Sequence, residues 1–551
     1  MRTGSEIILD TLLKNNITKI FGYPGGAIMP VYDALLDYTG RITHYRFAHE
    51  QGAVHATDGY ARSTGEPGIC FVTSGPGATN TITGLATAYM DSVPIVVLSG
   101  QVPTSLLGKD SFQEIDITSI AEPITKKTFL VDDVDKMEDV INEAIAVARG
   151  GRPGPVLVDL PKDILLAKTG HLPAANPPTP KDTPAPPLDT AALEAILLKL
   201  AEAERPVIYA GGGVKSSNTS ALLQALAKKG DIPVINTLMG LGTFPMDHPL
   251  SLGLSGMHGH PEVNEAMSRA DLLLVIGARF SDRAIGLSET FARDAFIVQL
   301  DIDETEFSKN ILCDLYLAGD LKNNLAYLVD HLDAKAHSEW LAWIAGKKHP
   351  PKPDTLYCPE NIIKTARKAY PDETILVTDT GQHQMWAAQH WPVIHPRGML
   401  TSGGLGTMGY GLGAAIGACI GNPDTPVVLI SGDGSFRMNS HELLTVATYN
   451  LNLTILMINN ESLGMVRQWQ KLFHDKRYSE TSNKSSLDYI LLAKAYGIQG
   501  VTVDSLSDLQ TALEASKKDS KAHFIEVRID PDEDVYPFVP PGKSIGEYLV
   551  K

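Results

Sequence analysis

Short, uninterrupted apolar runs, bounded by glycine, proline or small polar residues, recur along the whole chain of 551 residues. Helix-like stretches separate them. An uninterrupted apolar run is typical of a parallel strand buried on both faces, because a strand with one face in water alternates apolar and polar residues. The pattern predicts an α/β protein with three doubly wound parallel sheets. The predicted strands are residues 69–72, 95–98, 156–160, 207–210, 234–236, 272–276, 296–300, 375–378, 427–430, 454–458 and 524–527.

Two proline-rich stretches, at residues 171–188 and 347–359, interrupt this pattern. Proline at this density favours extended linkers, because it lacks a backbone N–H and fixes φ. A chain of 551 residues is expected to form about three domains. The predicted domains are residues 1–170, 189–345 and 360–551.

The composition limits the partners. A formal net charge of −17 argues against nucleic acid or an anionic membrane as a main partner, and no apolar run reaches the roughly 18 residues that a membrane span needs. Thr3 and Glu6 form a predicted capping box ahead of a helix, which argues against a signal peptide. The four cysteines lack the spacing of a metal site. We therefore expect free thiols and a cytoplasmic or similarly reducing location.

Polar residues follow two apolar runs in the last third of the chain. Asp433 lies in a Gly-Asp-Gly turn after one predicted strand, and Asn460 ends an Asn-Asn pair after the next. The carboxyl ends of parallel strands meet at one sheet edge, where α/β proteins bind ligands. A carboxylate and an amide oxygen suit Mg²⁺, which takes its other ligands from phosphate and water. Either turn alone is equally compatible with a loop, but together, 27 residues apart, they resemble the thiamine diphosphate motif.

Further segments extend this resemblance. FGYPGG at 21–26, AHE at 48–50 and TSGPGATN at 73–80 are similar to motifs of the thiamine diphosphate decarboxylase and synthase superfamily. KDSFQE at 109–114, GRPGPV at 151–156 and the proline-containing tail at 535–542 are more specific. They resemble the catalytic large subunit of acetohydroxyacid synthases, also called acetolactate synthases. The similarity covers nearly the whole chain.

The resemblance implies a reaction and its cofactors. Pyruvate would be decarboxylated on thiamine diphosphate, and the hydroxyethyl unit would be ligated to a second 2-oxoacid, either pyruvate or 2-oxobutanoate. The products are early intermediates of branched-chain amino acid biosynthesis. Mg²⁺ and a structural FAD would also be bound. In this family the cofactor lies between the first domain of one subunit and the third of another, which implies a homodimer or homotetramer, with a possible regulatory small subunit.

The resemblance also implies roles for individual residues. Glu50 would protonate the aminopyrimidine ring, so that the ring can take the proton of the thiazolium carbon. Arg283 would bind the carboxylate of the second 2-oxoacid through its planar fork, and Trp469 would favour 2-oxobutanoate. Further substrate-pocket residues are Phe112, Gln113 and Lys162. The implied metal ligands are Asp433, Asn460 and the carbonyl of Ser462.

The implied cofactor contacts fall into two groups. Around thiamine diphosphate they are Glu50, Gln382, His383, Met408, Gly432, Asp433, Gly434, Ser435, Asn460 and Met465. Around FAD, in the central domain and facing it, they are Arg152, Gly211, Gly212, Gly213, Met257, His258, Gly277, Arg279, Asp301, Ile302 and Asp320.

Several of these residues could instead have ordinary structural roles. A glutamate at a helix start, such as Glu50, is usually a partner of the helix dipole. The glycines at 211–213 could cradle a phosphate or simply form a turn. Arg279 and Arg283 could be surface arginines, and the family often has Asp where this chain has Ser281. The apolar residues of 465–469, like Met408 and Trp386, could be ordinary core.

Three other functions compete with this interpretation. A flavin-dependent pyruvate oxidase would share the fold, thiamine diphosphate and FAD. A catabolic acetolactate synthase would lack FAD, and the Arg-Phe-Ser-Asp-Arg segment at 279–283 argues against it. A catalytically silent scaffold or regulatory protein would have no need of Glu50, Asp433 and Asn460 together.

Overall fold

The computed structural model describes residues 1–170, 188–348 and 352–550. The first predicted linker lies almost wholly outside these residues, as do residues 349–351 of the second. The described chain forms three parallel sheets of six strands each and one two-stranded antiparallel ribbon. The predicted α/β class with three parallel sheets is confirmed, and the domain boundaries stay a prediction.

The N-terminal domain contains the ribbon and the first sheet, whose strand order is β3-β2-β4-β5-β7-β6. Its strands are β1 Arg2–Thr3, β2 Lys19–Gly22, β3 Thr43–Arg46, β4 Gly68–Val72, β5 Ile95–Gln101, β6 Lys127–Leu130, β7 Val156–Pro161 and β8 Lys168–Thr169. Its helices are α1 Gly4–Lys14, α2 Met29–Ala34, α3 Glu50–Thr64, α4 Pro76–Thr79, α5 Ile82–Met90, α6 Ile117–Ala121, α7 Met137–Arg149 and α8 Lys162–Leu166.

The central domain has the strand order β11-β10-β9-β12-β13-β14. Its strands are β9 Pro206–Ala210, β10 Val234–Asn236, β11 Ser251–Leu254, β12 Leu272–Ile276, β13 Phe296–Asp301 and β14 Leu315–Ala318. Its helices are α9 Thr190–Glu202, α10 Gly212–Ser216, α11 Ser220–Gly230, α12 Pro261–Arg269, α13 Asp282–Ile285, α14 Leu321–His331 and α15 Ser338–Ala345.

The C-terminal domain has the strand order β16-β15-β17-β18-β20-β19. Its strands are β15 Ile375–Thr378, β16 Met399–Leu400, β17 Val427–Gly432, β18 Leu453–Asn459, β19 Gln499–Val503 and β20 His523–Arg528. Its helices are α16 Pro359–Ala369, α17 Gln382–His390, α18 Tyr410–Gly421, α19 Asp433–Asn439, α20 Leu443–Thr448, α21 Gly464–Phe473, α22 Tyr489–Ala495 and α23 Leu506–Ser516. A short 3₁₀ helix, Ser440–Glu442, joins α19 to α20.

Each sheet is buried on both faces, as the apolar runs predict. In β17, Val427 and Leu429 belong to one core cluster, while Val428 and Ile430 belong to another. All eleven predicted strands are present, with ends that differ by no more than two or three residues. The strands that the sequence pattern missed are short or partly exposed, such as β3 and β6. Most of them lie at sheet edges, where one face needs no apolar side chains. The interior strand β2 was also missed, and it has only four residues.

Two smaller expectations, for a helix cap and for the cysteines, are also met. Thr3 and Glu6 form the predicted capping box at the start of α1. All four cysteines are free thiols. Within the described ranges, no helix has both the length and the apolar character that crossing a bilayer would demand.

Helices α3 and α18 join the N-terminal domain to the C-terminal domain. They approach so closely that a Cβ on Gly417 would lie 1.9 Å from the Ala56 carbonyl oxygen, and one on Gly59 would lie 2.1 Å from that of Ala414. The helices contribute to one apolar cluster that also contains residues of β4 and β17. The two domains therefore share a core.

A buried polar network reinforces this contact. The Arg62 guanidinium lies 2.6 Å from Asp58 and 3.0 Å from Asp91, and it donates to the Thr401 carbonyl at 2.9 Å. Tyr410, from the C-terminal domain, donates to Asp58 at 2.8 Å. Because these groups are almost wholly buried, they satisfy one another without water.

Gly417→Ala tests the close contact. In an exposed helix interior this change stabilises a protein by up to about 1 kcal/mol. Here we expect a net loss of about 1–3 kcal/mol, because the new methyl group meets backbone that cannot easily move. Thermal melting should show a lower midpoint for Gly417→Ala. The control is Gly546→Ala, whose Cβ would have no neighbour closer than 4.0 Å. A Gly417→Ala melting point equal to or above that of the unmodified protein would contradict the packing.

Candidate active site

The carboxyl edge of the C-terminal sheet brings the two predicted metal-binding turns together. Strands β17 and β18 are parallel neighbours, with Gly432 paired to Ile458. Asp433 and Asn460 follow that pair by one and two residues. Adjacency of this kind is what the sequence pattern requires for a shared site.

Asp433 is a buried carboxylate, and one of its two oxygens makes no hydrogen bond to the described part of the chain. Its side chain is 1% exposed, and its Oδ2 atom has no hydrogen-bond partner among the residues described. Burial raises the pKa of Asp433 to about 6. An unpaired buried oxygen is costly, so a bound cation would relieve it. This observation fits a magnesium ligand.

Asn460 is held by a network of side-chain amides. Its Nδ2 donates to Gln382 Oε1 at 3.0 Å, and its Oδ1 accepts from the Ser462 N–H at 3.2 Å. Gln382 donates onward to Gln468 at 3.2 Å. A Cβ on Gly464 would lie 1.9 Å from Gln382 Oε1, so only glycine fits beside this network.

The donor set suits Mg²⁺ better than a transition metal. In the described part of the chain, no group of three or more His, Cys, Asp or Glu side chains is placed to hold a metal. One carboxylate, one amide oxygen and one carbonyl leave positions for a diphosphate and water, as Mg²⁺ requires.

Glycines at 381 and 432 allow the backbone to approach the His383 ring closely. A Cβ on Gly432 would lie 2.8 Å from the His383 ring, and one on Gly381 would lie 2.9 Å from it. Burial lowers the pKa of His383 to about 3, so the ring is neutral at physiological pH. Its Nε2 atom is buried without a partner among the described residues. Gly434 adjoins Met408, whose methyl group would lie 3.6 Å from a Cβ there.

Glu50 occupies a separate site on the N-terminal domain. It is the first residue of α3, whose N-cap His49 accepts from the Gln51 N–H. Asn80 Nδ2 donates to Glu50 Oε2 at 2.9 Å, and Glu50 Oε1 lies 3.4 Å from the position of a Cβ on Gly77. The turn at 73–80 thus surrounds the carboxylate.

The other candidate residues of the N-terminal domain differ in exposure. The Gln113 backbone would lie 3.0 Å from a Cβ on Gly75. Phe112 is 87% exposed, and Lys162 begins α8 in a half-buried position. Within one chain, the described residues show no hydrogen bond or ion pair between Glu50 and either Asp433 or Asn460. The residues around Glu50 are called here the N-terminal half-site, and those around Asp433 and Asn460 the C-terminal half-site.

A cavity of about 1040 Å³ lies between all three domains. Among the predicted residues, it is lined by Arg152, Gly212, Gly213, Met257, His258, Gly277, Arg279, Arg283, Asp301, Ile302, Asp320, Met465 and Trp469. Gly211 does not line it but packs against the turn after β12, where a Cβ would lie 2.2 Å from the Gly277 carbonyl oxygen. The structure thus brings nearly all of the proposed flavin residues to one large cavity.

Arginines anchor the walls of this cavity to different domains. Arg152 lies 2.9 Å from Asp303 and 2.8 Å from Glu306, which joins the N-terminal domain to the central domain. Arg279 donates to the Met90 carbonyl at 2.7 Å. Neither is a free surface arginine.

Arg283, Met257 and Trp469 form a cluster in the cavity wall. The Arg283 guanidinium carbon lies 5.4 Å from the centre of the Trp469 ring, and Nη1 lies 3.5 Å from the sulfur of Met257. Arg283 remains largely exposed, so its charge is available to a ligand. Ser281 caps α13 by accepting from the Arg283 N–H. Serine and aspartate both make such caps. Ser281, where the family often has aspartate, therefore preserves the start of α13.

The helix α21 lines the cavity and does not pack as ordinary core. Met465, Val466 and Trp469 face the cavity, and Gln468 is the one fully buried residue of the helix. Trp386, by contrast, is a core residue of the C-terminal domain.

The sequence did not indicate two carboxylates with structural roles, Asp91 and Asp379. Asp91 accepts from Arg62 and from the N–H groups of Gly403 and Gly404, which line the cavity. Asp379 accepts from the N–H groups of Gly409 and Gly411. Both hold glycine-rich loops through backbone atoms, and no local motif in the sequence indicates such long-range contacts.

Comparisons with known proteins agree with this geometry. Models of thiamine pyrophosphate enzyme domains match in order: the N-terminal TPP binding domain at residues 2–120, the central domain at 193–328 and the C-terminal TPP binding domain at 379–527. The acetolactate synthase isozyme 2 large subunit of Escherichia coli (strain K12) is 42% identical over 551 residues, covering 100% of this chain and 99% of that protein. The chain belongs to the acetolactate synthase large-subunit family.

Other relatives support the same membership. The acetolactate synthase large subunit of Parasynechococcus marenigrum (strain WH8102) is 43% identical, over 98% of this chain and 90% of the relative. The probable acetolactate synthase large subunit of Methanocaldococcus jannaschii is 42% identical, over 98% of this chain and 94% of the relative. Thus the predicted family is confirmed, and these relatives do not favour a pyruvate oxidase.

Asp433→Asn tests the metal half-site. The amide is nearly isosteric but lacks the negative charge, so we expect Mg²⁺-dependent binding of thiamine diphosphate to weaken at least tenfold, as loss of a charged interaction of about 1.5–3 kcal/mol would cause. Isothermal titration calorimetry, with and without Mg²⁺, measures this. The control is Asp424→Asn, which changes an exposed aspartate of the same domain. Normal Mg²⁺-dependent affinity in Asp433→Asn would remove Asp433 from the site.

Proposed function

We propose that the chain is the catalytic subunit of a thiamine diphosphate- and Mg²⁺-dependent acetolactate synthase. It would join two 2-oxoacids in the first committed chemistry towards branched-chain amino acids. What carries the proposal is the 42% identity over 100% of the chain to an acetolactate synthase large subunit. The two half-sites and the cavity supply groups suited to each step.

The C-terminal half-site would hold the diphosphate. Asp433, Asn460 and the Ser462 carbonyl would bind Mg²⁺. The residues that would surround the diphosphate are Gln382, His383, Met408, Gly432, Gly434, Ser435 and Met465. When bound, thiamine diphosphate supplies a nucleophilic carbon that adds to the pyruvate carbonyl and accepts the electron pair released with CO2.

Glu50 would manage the proton at the other end of the cofactor. Asn80 donates to its Oε2, so Oε1, beside Gly77, is the atom that would face the pyrimidine ring. A carboxyl group in this position can pass a proton to and from the ring nitrogen.

Arg283 would orient the second 2-oxoacid. Its guanidinium can bind the substrate carboxylate with two parallel hydrogen bonds, while Trp469 and Met257 form an apolar wall beside it. That wall would accommodate the extra methyl group of 2-oxobutanoate. Phe112, Gln113 and Lys162 would approach from the N-terminal half-site.

The reaction balances without an external oxidant. Two pyruvate anions and one proton give one acetolactate anion and CO2, with one carbon–carbon bond broken and one formed. FAD in the large cavity would therefore be structural, held by Arg152, Asp301, Asp320 and the glycine turns of the central domain.

Because the resemblance to this family implies a cofactor held between the first domain of one subunit and the third of another, we propose that two copies complete each site. The N-terminal half-site of one subunit would face the C-terminal half-site of the other in a homodimer, or in a tetramer built from such dimers. A regulatory small subunit would bind elsewhere. The four free thiols support a reducing compartment such as the cytoplasm.

A product assay distinguishes the competing functions. The purified protein is given pyruvate, thiamine diphosphate and Mg²⁺, with and without 2-oxobutanoate, and products are identified by mass spectrometry. Acetolactate and 2-aceto-2-hydroxybutanoate are expected, together with a flavin absorbance spectrum. Peroxide formation or reduction of an added electron acceptor would indicate an oxidase. Acetolactate without flavin would indicate the catabolic enzyme.

Glu50→Gln should abolish most activity while leaving cofactor binding intact, because glutamine cannot transfer the proton. General acid–base catalysis is worth about 100- to 10,000-fold, and the thiazolium C2–H exchange rate, measured by acid quench and NMR, should fall within that range. Glu122→Gln, an exposed glutamate of the same domain, is the control. Exchange at the rate of the unmodified protein in Glu50→Gln would refute the assignment.

Arg283→Lys should weaken use of the second 2-oxoacid, because lysine cannot make two parallel hydrogen bonds. Loss of one charged hydrogen bond corresponds to roughly a 10- to 100-fold lower kcat/KM. Initial rates with varied 2-oxobutanoate measure it. Arg293→Lys, on an exposed arginine of the same domain, serves for comparison. An unchanged dependence on 2-oxobutanoate would exclude Arg283 from the acceptor site.

A further inference from the structure

Glu442 is a fully buried glutamate that the proposed mechanism does not use. It ends the 3₁₀ helix Ser440–Glu442 of the C-terminal domain, and its exposure is 0%. Among the described residues, no lysine or arginine lies within 4.0 Å of its carboxylate, and the nearest basic side chain is His441, at 3.6 Å. A buried carboxylate without a cationic partner is costly. The hydrogen bonds that Glu442 accepts therefore indicate its role.

Those bonds run to the segment immediately before Glu50. Glu442 Oε2 accepts from the Ala48 N–H at 3.2 Å, and Oε1 accepts from the His49 N–H at 3.1 Å. Thr445 donates its hydroxyl to Oε2 at 2.5 Å. Two successive peptide N–H groups therefore share one carboxylate, and Glu50 is the next residue along the chain.

The glycine at position 52 agrees with this arrangement. A Cβ there would lie 2.2 Å from Glu442 Oε1. Helix α3 can approach the carboxylate only because residue 52 lacks a side chain. The contact joins two domains, since α3 belongs to the N-terminal domain and Glu442 to the C-terminal domain.

We propose that Glu442 is a positioning residue for Glu50. By accepting from both N–H groups, its carboxylate sets the direction in which the chain enters α3, and so sets where the Glu50 carboxyl points. The inference rests on the proposed function, because Glu50 must act on bound thiamine diphosphate for its position to matter. The 3₁₀ helix follows directly from α19, which begins at Asp433. The segment from Asp433 to Glu442, which begins at the proposed metal ligand, thus also binds the backbone just before Glu50 in the same chain.

Glu442→Gln is the direct test. The amide can accept only through its single oxygen, so one N–H loses its partner. In the cofactor-free protein, hydrogen–deuterium exchange of peptides containing residues 48 and 49 should become faster. In the loaded protein, thiazolium C2–H exchange should slow roughly 10- to 100-fold, the effect of a displacement of about 1 Å. Binding of thiamine diphosphate and KM for pyruvate should stay within twofold, while kcat falls with the exchange rate.

Glu138→Gln is the matched control. Glu138 is a similarly buried glutamate that pairs with Lys14 on the N-terminal domain, away from the Glu50 turn. Its replacement is expected to lower the melting point without changing C2–H exchange. A general effect of losing a buried charge would slow exchange in both variants and would overturn the positioning role.

Gly52→Ala provides an independent route to the same effect. The new methyl group would displace the Glu442 carboxylate while leaving its charge, so C2–H exchange should slow here as well. In the double variant with Glu442→Gln, the two effects should not add, because both act through one contact. Additive effects would overturn the inference. Should Glu442→Gln fail to fold, an unchanged exchange rate in folded Gly52→Ala would overturn it equally.

The outcomes separate this inference from the proposed function. If the unmodified protein makes acetolactate and Glu50→Gln slows exchange, yet folded Glu442→Gln exchanges at the normal rate, only the positioning role fails. If Glu50→Gln exchanges normally, the proposed function and the positioning role both fall.

Discussion

The close approach of α3 and α18 is the contact on which the rest of the structure depends. Glycines at 59 and 417 let the two helices meet at backbone distance, so the N-terminal and C-terminal domains share one apolar core. The Arg62, Asp58 and Tyr410 network lies at the same contact and is satisfied without water. Helix α3 also carries Glu50 at its first turn, so the packing that joins the domains also determines where the candidate catalytic carboxylate sits.

Two buried carboxylates, those of Asp433 and Glu442, lie close to the residues of the proposed reaction. Asp433 has an oxygen without a partner among the described residues, and burial raises its pKa to about 6. Burial likewise raises the pKa of Glu442 to about 7. Such groups are costly in a folded protein. Asp433 lies where a metal would bind, and Glu442 lies where the Glu50 segment is held.

The two half-sites and the cavity divide the proposed work among three domains. The C-terminal sheet edge offers oxygen ligands, the N-terminal turn offers a proton-transferring carboxyl group, and the central domain offers Arg283 beside an apolar wall. Asp91 and Asp379 fix glycine-rich loops of the C-terminal domain by accepting hydrogen bonds from the N–H groups of Gly404 and Gly409. Such support from a second layer of residues is what precise placement of reacting groups requires.

The sequence alone determined the fold class, the central strands, the capping box of α1 and the family. Apolar runs and short turn motifs are local, and the physical preferences behind them act within a few residues. The sequence also indicated Asp433 and Asn460 as candidate metal ligands, because their turns follow successive strands whose ends can lie side by side. Edge strands such as β3 and β6 were not predicted, because an edge strand needs no continuous apolar run.

Only the tertiary structure decided which distant residues meet. It placed Glu442 against the Ala48 and His49 backbone, Asp91 against the loop at Gly403, and Arg283 beside Trp469. These relations depend on how sheets and helices from different domains pack, and a side chain that binds backbone N–H groups hundreds of residues away leaves no pattern near its own position in the sequence.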